Sequence, residues 1–308
     1  MATPRSRLVD DQLALHYHIV SRCVRRSWLC DSDRYSGKNY NHRKAWIISR
    51  LFHLARYFAV EVEAFAIMSN HFHLVLYYDP LASDTWTDEE VAYRWSEVFP
   101  PRTAKNNHDE LAFLKELQIA NLLESPGSLQ SARRCLGSLS AFMKHLKQPI
   151  AWRANQEDNC RGHFFEGRFY SGALLTESAV LAAMAYVDLN PVRAKIVKTI
   201  EQSHDSSIGA RLKAFENTPE RLKDALAPLV SGLDATDTRI TMTLAMYIEH
   251  LRWTTVAAEP SQFSDEQSRW FARVAAIKKR QRAFGLIDDL KDWILRHGHK
   301  RLGDPLPG

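Results

Sequence analysis

Two histidines, His71 and His73, stand two residues apart in the run HFHLVLYY. In an extended strand that spacing sends both imidazoles to one face. Two neutral ring nitrogens on one face can bind a divalent cation. One strand supplies only two ligands, so a working site needs at least one more from elsewhere. The same spacing recurs at His16-Tyr17-His18, and spacing alone does not separate the two pairs. Ordinary half-buried strand histidines produce the same pattern.

A second cluster lies in MAYVDLNPVRA, residues 184–194. Tyr186 and Asn190 are four apart, which puts them on one face of a helix. A positioned phenol can attack phosphorus, and a neighbouring metal ion can polarise the phosphate and stabilise developing charge. Asn190 can offer its amide oxygen as a third metal ligand. Equally, Tyr186 can be a core aromatic, one of ten tyrosines, with Asn190-Pro191 a plain helix stop. The third cluster is RGHFFEGRFY, Arg161 to Tyr170, where basic and aromatic residues interleave as they do where phosphates are paired and bases stacked. An amphipathic strand shows the same alternation. Arg22, Arg25, Arg26 and Trp28 share that ambivalence.

The elements that must position these residues follow from periodicity. Leu13 to Val20 reads as a strand, and Tyr40 to Phe58 carries apolar residues at helical spacing. Val60 to Met68 and His71 to Tyr78 are β-type runs separated by Ser69-Asn70, a hairpin signal. Thr87 followed by Asp88-Glu89-Glu90 opens a helix through Trp95, and Asp109 to Leu123 is helical again. This stretch, about residues 80–128, reads as a helical insertion. Ser131 to Lys147 is an amphipathic helix expected to end at Pro149. Phe164 to Leu175 reads as a strand and Glu177 to Leu189 as a helix. The expected fold is therefore α+β: a ferredoxin-like β-α-β-β-α-β antiparallel sheet with its helices on one face. Residues 1–200 form this core. Residues 201–308 read as a helical C-terminal extension, with basic runs at Lys278-Lys279-Arg280 and His297 to Arg301.

Composition narrows the classes. The 308 residues include enough apolar ones, 45%, to bury a sizeable core. A formal charge of +5 suits an anionic partner without demanding one. The four cysteines form no C-x-x-C pair, which argues against a zinc ribbon or disulfide framework and for reduced thiols in a cytoplasmic setting. The opening MATPRSRLVDDQ has no signal-type apolar run, and no stretch is long enough for a membrane span.

Taken in order, HYHIVSRCVRR, AFAIMSNHFHLVLYYDP, GHFFEGRFYSGALLTE and AYVDLNPVRAKIV resemble the REP-associated tyrosine transposases, within the wider single-tyrosine HUH transposases of bacterial insertion sequences. The resemblance covers about residues 12 to 212. Its most specific pieces are Asn70-His71-Phe72-His73 and Tyr186-Val187-Asp188-Leu189-Asn190-Pro191.

That resemblance implies an HUH nuclease core acting on single-stranded DNA that forms hairpins from palindromic repeats. His71, His73 and Asn190 would hold Mg²⁺ or Mn²⁺, and Tyr186 would be the nucleophile. Attack would give a 5′-phosphotyrosine link and a free 3′-OH able to reverse the reaction on a new partner. Candidate DNA contacts are Arg22, Arg25, Arg161, Arg168 and Arg193. The expected setting is cytoplasmic and nucleoid-associated, as a monomer or homodimer. Two departures matter: Tyr170 stands where relatives with a GRF-K-S pattern carry a basic residue, so a phosphate contact is missing there, and the helical region after about residue 212 exceeds the minimal core. Two other readings stand beside the transposase. One is a catalytically degenerate hairpin-binding protein. The other is a hydrolase using activated water, for which no third histidine or carboxylate motif of the metallohydrolase kind is found.

Overall fold

The computed structural model describes residues 7–24, 29–31, 37–102, 107–216, 218–233, 239–255, 263–298 and 303–308. Arg25, Arg26 and Trp28 lie outside the described residues, as do Lys300 and Arg301 of the second basic run. Chain order begins β1 (Leu15–Arg22), α1 (His42–Ala55), β2 (Val60–Ile67), β3 (His71–Tyr78). Five helices follow: α2 (Ala82–Thr85), α3 (Asp88–Val98), α4 (His108–Leu123), α5 (Pro126–Leu136) and α6 (Leu139–Glu157). Then come β4 (Tyr170–Leu174), α7 (Glu177–Asp188), α8 (Asn190–Arg193) and α9 (Ser207–Phe215). The chain closes with β5 (Val230–Ser231), α10 (Leu244–Thr255), α11 (Asp265–Ile277), β6 (Ala283–Phe284) and α12 (Ile287–His297).

The six strands form one sheet in the order β5-β2-β3-β1-β4-β6. β1 runs antiparallel to both β3 and β4, and β2 antiparallel to β3 and β5, while β6 lies parallel to β4. The all-helical expectation for the C-terminal region is corrected here. β5 and β6, both from that region, extend the sheet at its two edges, where pairing covers otherwise unsatisfied backbone groups. Two-residue strands carry no readable alternation, which is why periodicity missed them.

The helices occupy both faces of the sheet, not one as the sequence reading expected. Tyr17, Ile19, Leu74 and Leu76 share a core with Ile47, Leu51 and Leu54 of α1 and with buried residues of α3, α5 and α6. On the other face Ala64, Ala66 and Val75 share a second core with α7, α10 and α11. A β-bulge between Val62 and Ala64 makes this division possible. Before it, Val60 and Val62 face the α1 side; after it, Phe65 and Ile67 do, while Ala64 and Ala66 turn to α7. One extra residue thus gives β2 an apolar side chain on both faces, and β2 is buried throughout.

The insertion is part of the first core. Thr87 caps α3 by accepting from Glu90 N, and Trp86, Val91 and Val98 are buried against the α1 side. Arg133 of α5 ties it down, donating to the Ser83 carbonyl at 2.5 Å, the Trp86 carbonyl at 2.6 Å and Asp88 at 2.7 Å. Helix α6 runs through Pro149 rather than ending before it. Proline deprives the His145 carbonyl of its usual i+4 donor, and Arg50 Nε supplies one from α1 at 3.3 Å. Strand β4 is shorter than expected, because the segment before Tyr170 makes only an isolated Phe165–Cys23 bridge. The four cysteines are unpaired thiols. No helix among the described residues is long and apolar enough to cross a membrane.

Candidate active site

Helix α7 is buried nearly all round, so its sequence is apolar on every face. Four of its residues, Ala179, Ala182, Ala183 and Ala185, are small, and they meet a sheet surface that is itself small at Ala64 and Ala66. Small residues on both sides let the helix approach closely. The last turn of α7 then delivers Tyr186, half-buried, beside the histidines. Below it Asp188 anchors the turn. Its fully buried carboxylate accepts from Ser207 Oγ, from Ile208 N at 2.8 Å and from Tyr247 Oη at 2.8 Å. Burial nevertheless pushes this carboxyl's pKa up.

Pairing of β1 with β3 sets Val20 opposite His73 and Arg22 opposite His71. Even-numbered residues of β1 therefore share the face of His71 and His73, and His18 joins them. Its Nε2 lies 3.0 Å from His73 Nδ1, with the rings stacked at 5.3 Å. His71 and His73 sit edge to face at 4.8 Å. The Tyr186 ring is 5.7 Å from His73 and 5.8 Å from His18, again edge to face. The His71/His73 pair and the Tyr186 phenol, expected from sequence, are thus brought together.

Nothing in the sequence singles out His18. The pair it belongs to has the same spacing as His71/His73, and only the antiparallel partner strand distinguishes it. Burial, first of all, pushes the His18 pKa down to about 3 and the His71 pKa down to about 4. His73 is lowered by burial and then by its neighbours His18 and His71. All three rings are neutral at pH 7, the form that binds metal.

The hydrogen bonds also select tautomers. Asn70 Oδ1 faces His71 Nδ1 at 2.6 Å, so that nitrogen carries the proton and Nε2 keeps its lone pair. For His73 to present Nε2 in the same way, its Nδ1–H must donate to His18 Nε2. His18 is then protonated on Nδ1, a buried nitrogen with no hydrogen-bond partner among the described residues. Among the described residues no group of three or more His, Cys, Asp and Glu side chains is placed to hold an ion. A metal on His71 and His73 therefore needs a donor of another type. Asn190 is half-buried one turn beyond Tyr186, and its Nδ2 donates to the Tyr186 carbonyl at 3.0 Å. That bond uses the amide nitrogen and leaves Oδ1 as a candidate donor. Two imidazole nitrogens and an amide oxygen are a mixed donor set of the kind that divalent first-row ions accept.

Arginines dominate the charge around the cluster. Arg22 and Arg280 both act on His71 and His73, and Arg280 also on His18 and Tyr170. The Arg193 guanidinium lies 5.6 Å from the Tyr186 ring and Arg280 lies 6.0 Å from the Tyr170 ring. Of the arginines proposed from sequence, Arg22 and Arg193 reach the cluster. Arg161 and Arg168 are exposed on the segment leading into β4. That segment runs beside Arg22 through a 2.7 Å bond from Glu166 N to the Arg22 carbonyl. In the sequence Arg280 stands out only as part of a basic run. Tyr170, 5.8 Å from His18, donates its hydroxyl to the Gln281 carbonyl, and burial pushes its pKa up. Of the two tyrosines, Tyr170 is committed to the backbone.

No protein-family model matches the chain, and no curated protein matches it. The chain is similar to one solved structure, a REP-associated tyrosine transposase bound to a REP hairpin, with 11% identity and a TM-score of 0.39 over 79% of this chain and 98% of that one.

Proposed function

We propose that this chain nicks single-stranded DNA and transfers the cut strand, using Tyr186 as nucleophile. The observation that carries the reading is the placement of a half-buried tyrosine 5.7 Å from His73 on a face ringed by arginines. The motifs around His71, His73 and Tyr186 support it independently. The antiparallel run β2-β3-β1-β4 is compatible with the core that the resemblance implies, with α1 and α7 on opposite faces of the sheet. The resemblance in sequence points to hairpin-forming repeat DNA as the substrate, with Mg²⁺ or Mn²⁺ as cofactor.

His71, His73 and Asn190 would hold the ion. Bound there, it would polarise the scissile phosphate and offset charge that builds on its oxygens. The Tyr186 oxygen attacks phosphorus in line with the 3′-oxygen, its proton passing to water. The P–O3′ bond breaks and the 3′-oxygen takes up a proton, leaving a 3′-OH and a 5′-phosphotyrosine ester. No bond energy is dissipated to water, so a second 3′-OH can reverse the step and join a new strand. Arg22 and Arg193 bind the flanking phosphates and lower the cost of bringing a polyanion to a phenol.

The test is incubation of the protein with Mn²⁺ and an end-labelled single-stranded oligonucleotide carrying a hairpin. An SDS-resistant protein–DNA band that is absent with Tyr186→Phe supports the reading. Salt-sensitive binding with no such band would make the chain a hairpin-binding protein. Cutting by Tyr186→Phe would point to activated water instead.

A further inference from the structure

Three basic residues, Lys278, Lys279 and Arg280, follow the end of helix α11 at Ile277, and Lys279 and Arg280 have different surroundings. Lys279 is spent on Asp304, at 2.6 Å. Arg280 is exposed, and among the described residues no carboxylate pairs with it. Its guanidinium instead lies 6.0 Å from the Tyr170 ring, which is itself 5.8 Å from His18.

That position is built, not incidental. Arg280 has a left-handed backbone, φ +52°, which a non-glycine residue adopts only when its surroundings enforce it. The surroundings are the next residues. The Gln281 carbonyl takes the Tyr170 hydroxyl, and Ala173 N donates to the Arg282 carbonyl at 2.9 Å. β6 then pairs in parallel with β4. Gly172 is required for this approach, because a Cβ there would stand 2.8 Å from the Gln281 carbonyl and closer still to the Tyr170 hydroxyl. The C-terminal region is thus docked on β4 at Tyr170.

We propose that Arg280 is a DNA-phosphate ligand of the Tyr186 site, supplied by the C-terminal region. Together with Arg22 and Arg193 it surrounds three neutral imidazoles with guanidiniums. Among the described residues no carboxylate pairs with these three guanidiniums, and a phosphodiester is the chemical class that satisfies them. The proposal rests on the nickase reading for the identity of the anion, and its test separates the two.

The experiment measures binding of the full chain to a fluorescein-labelled oligonucleotide hairpin with an unpaired 5′ tail, between 50 and 200 mM salt (about the range over which phosphate contacts show). Arg280→Ala should bind about tenfold more weakly at the lowest salt. The slope of log K against log salt should become shallower by about 0.7–0.9, one phosphate contact. Arg280→Lys should restore the slope, and Lys279→Ala, already paired with Asp304, should leave it unchanged. An Arg280→Ala slope equal to wild type would overturn the proposal, whatever the affinity. Wild-type adduct formation, run in parallel, tests the nickase reading separately: an altered slope without adduct keeps Arg280 as a DNA ligand and removes the nickase.

Discussion

Replacing His18 by phenylalanine isolates what a buried neutral imidazole does to this fold as pH falls. His18 is 1% exposed, and burial holds its folded-state pKa near 3, against about 6.5 in an unfolded chain. Above pH 6.5 it is neutral in both states and contributes no pH dependence. Below that, the unfolded chain takes up a proton that the fold refuses. Stability then drops by about 1.4 kcal/mol per pH unit until the folded pKa is reached. From pH 7 to pH 5 His18 alone costs about 2 kcal/mol on this reckoning. His73, lowered by the same burial, acts in the same direction. In His18→Phe the ring shape between Tyr170 and Tyr186 is kept and the His18 contribution disappears. His73 Nδ1 loses its partner, a penalty of about 1–3 kcal/mol that is present at neutral pH as well. Urea unfolding in EDTA at pH 7, 6 and 5 measures both effects. The drop in stability between pH 7 and pH 5 should be about 2 kcal/mol smaller in the variant than in wild type. Identical pH profiles would refute the reasoning, because His18 would then be titrating normally inside the fold.

Other consequences can be checked alongside. Tyr170→Phe should still form the covalent adduct, since its hydroxyl is committed to the Gln281 carbonyl; the expected cost is about 1 kcal/mol in urea unfolding. Gly172→Ala should destabilise more, by about 1–3 kcal/mol, because its Cβ would displace the Gln281 backbone or the Tyr170 ring. Asp188→Ala strands Ser207, Tyr247 and the Ile208 N–H at the foot of the tyrosine helix. A loss of more than about 3 kcal/mol is expected in the same assay. His18→Phe should also weaken Mn²⁺ binding by about 10- to 100-fold, read by titration calorimetry with DNA bound, because His73 no longer has its orienting partner.

Local patterns carried much of this molecule. The β2–β3 hairpin, the Thr87 cap and the shared face of His71 and His73 all follow from spacing over a few residues. Tyr186 was placed on its helix for the same reason, and its meeting with the histidines came from the resemblance, not from spacing. What sequence did not show depends on contacts between distant segments. His18 enters the cluster only through the register of β1 on β3. Arg280 arrives because β6 docks on β4 more than a hundred residues later in the chain. The bulge in β2 that lets helices cover both faces has no simple alternation to betray it. Pro149 looked like a stop because the donor that rescues the His145 carbonyl, Arg50, sits on another helix.

The most direct measurement is the identity of the residue that carries the DNA. Protein incubated with Mn²⁺ and a hairpin oligonucleotide would be digested with protease and nuclease, and the nucleotide-bearing peptide sequenced by mass spectrometry. The expected result is a single phosphodiester on Tyr186 with the complementary fragment ending in a 3′-OH. Linkage through Tyr170, or cut DNA with no linked peptide, would contradict the assignment of Tyr186 as nucleophile.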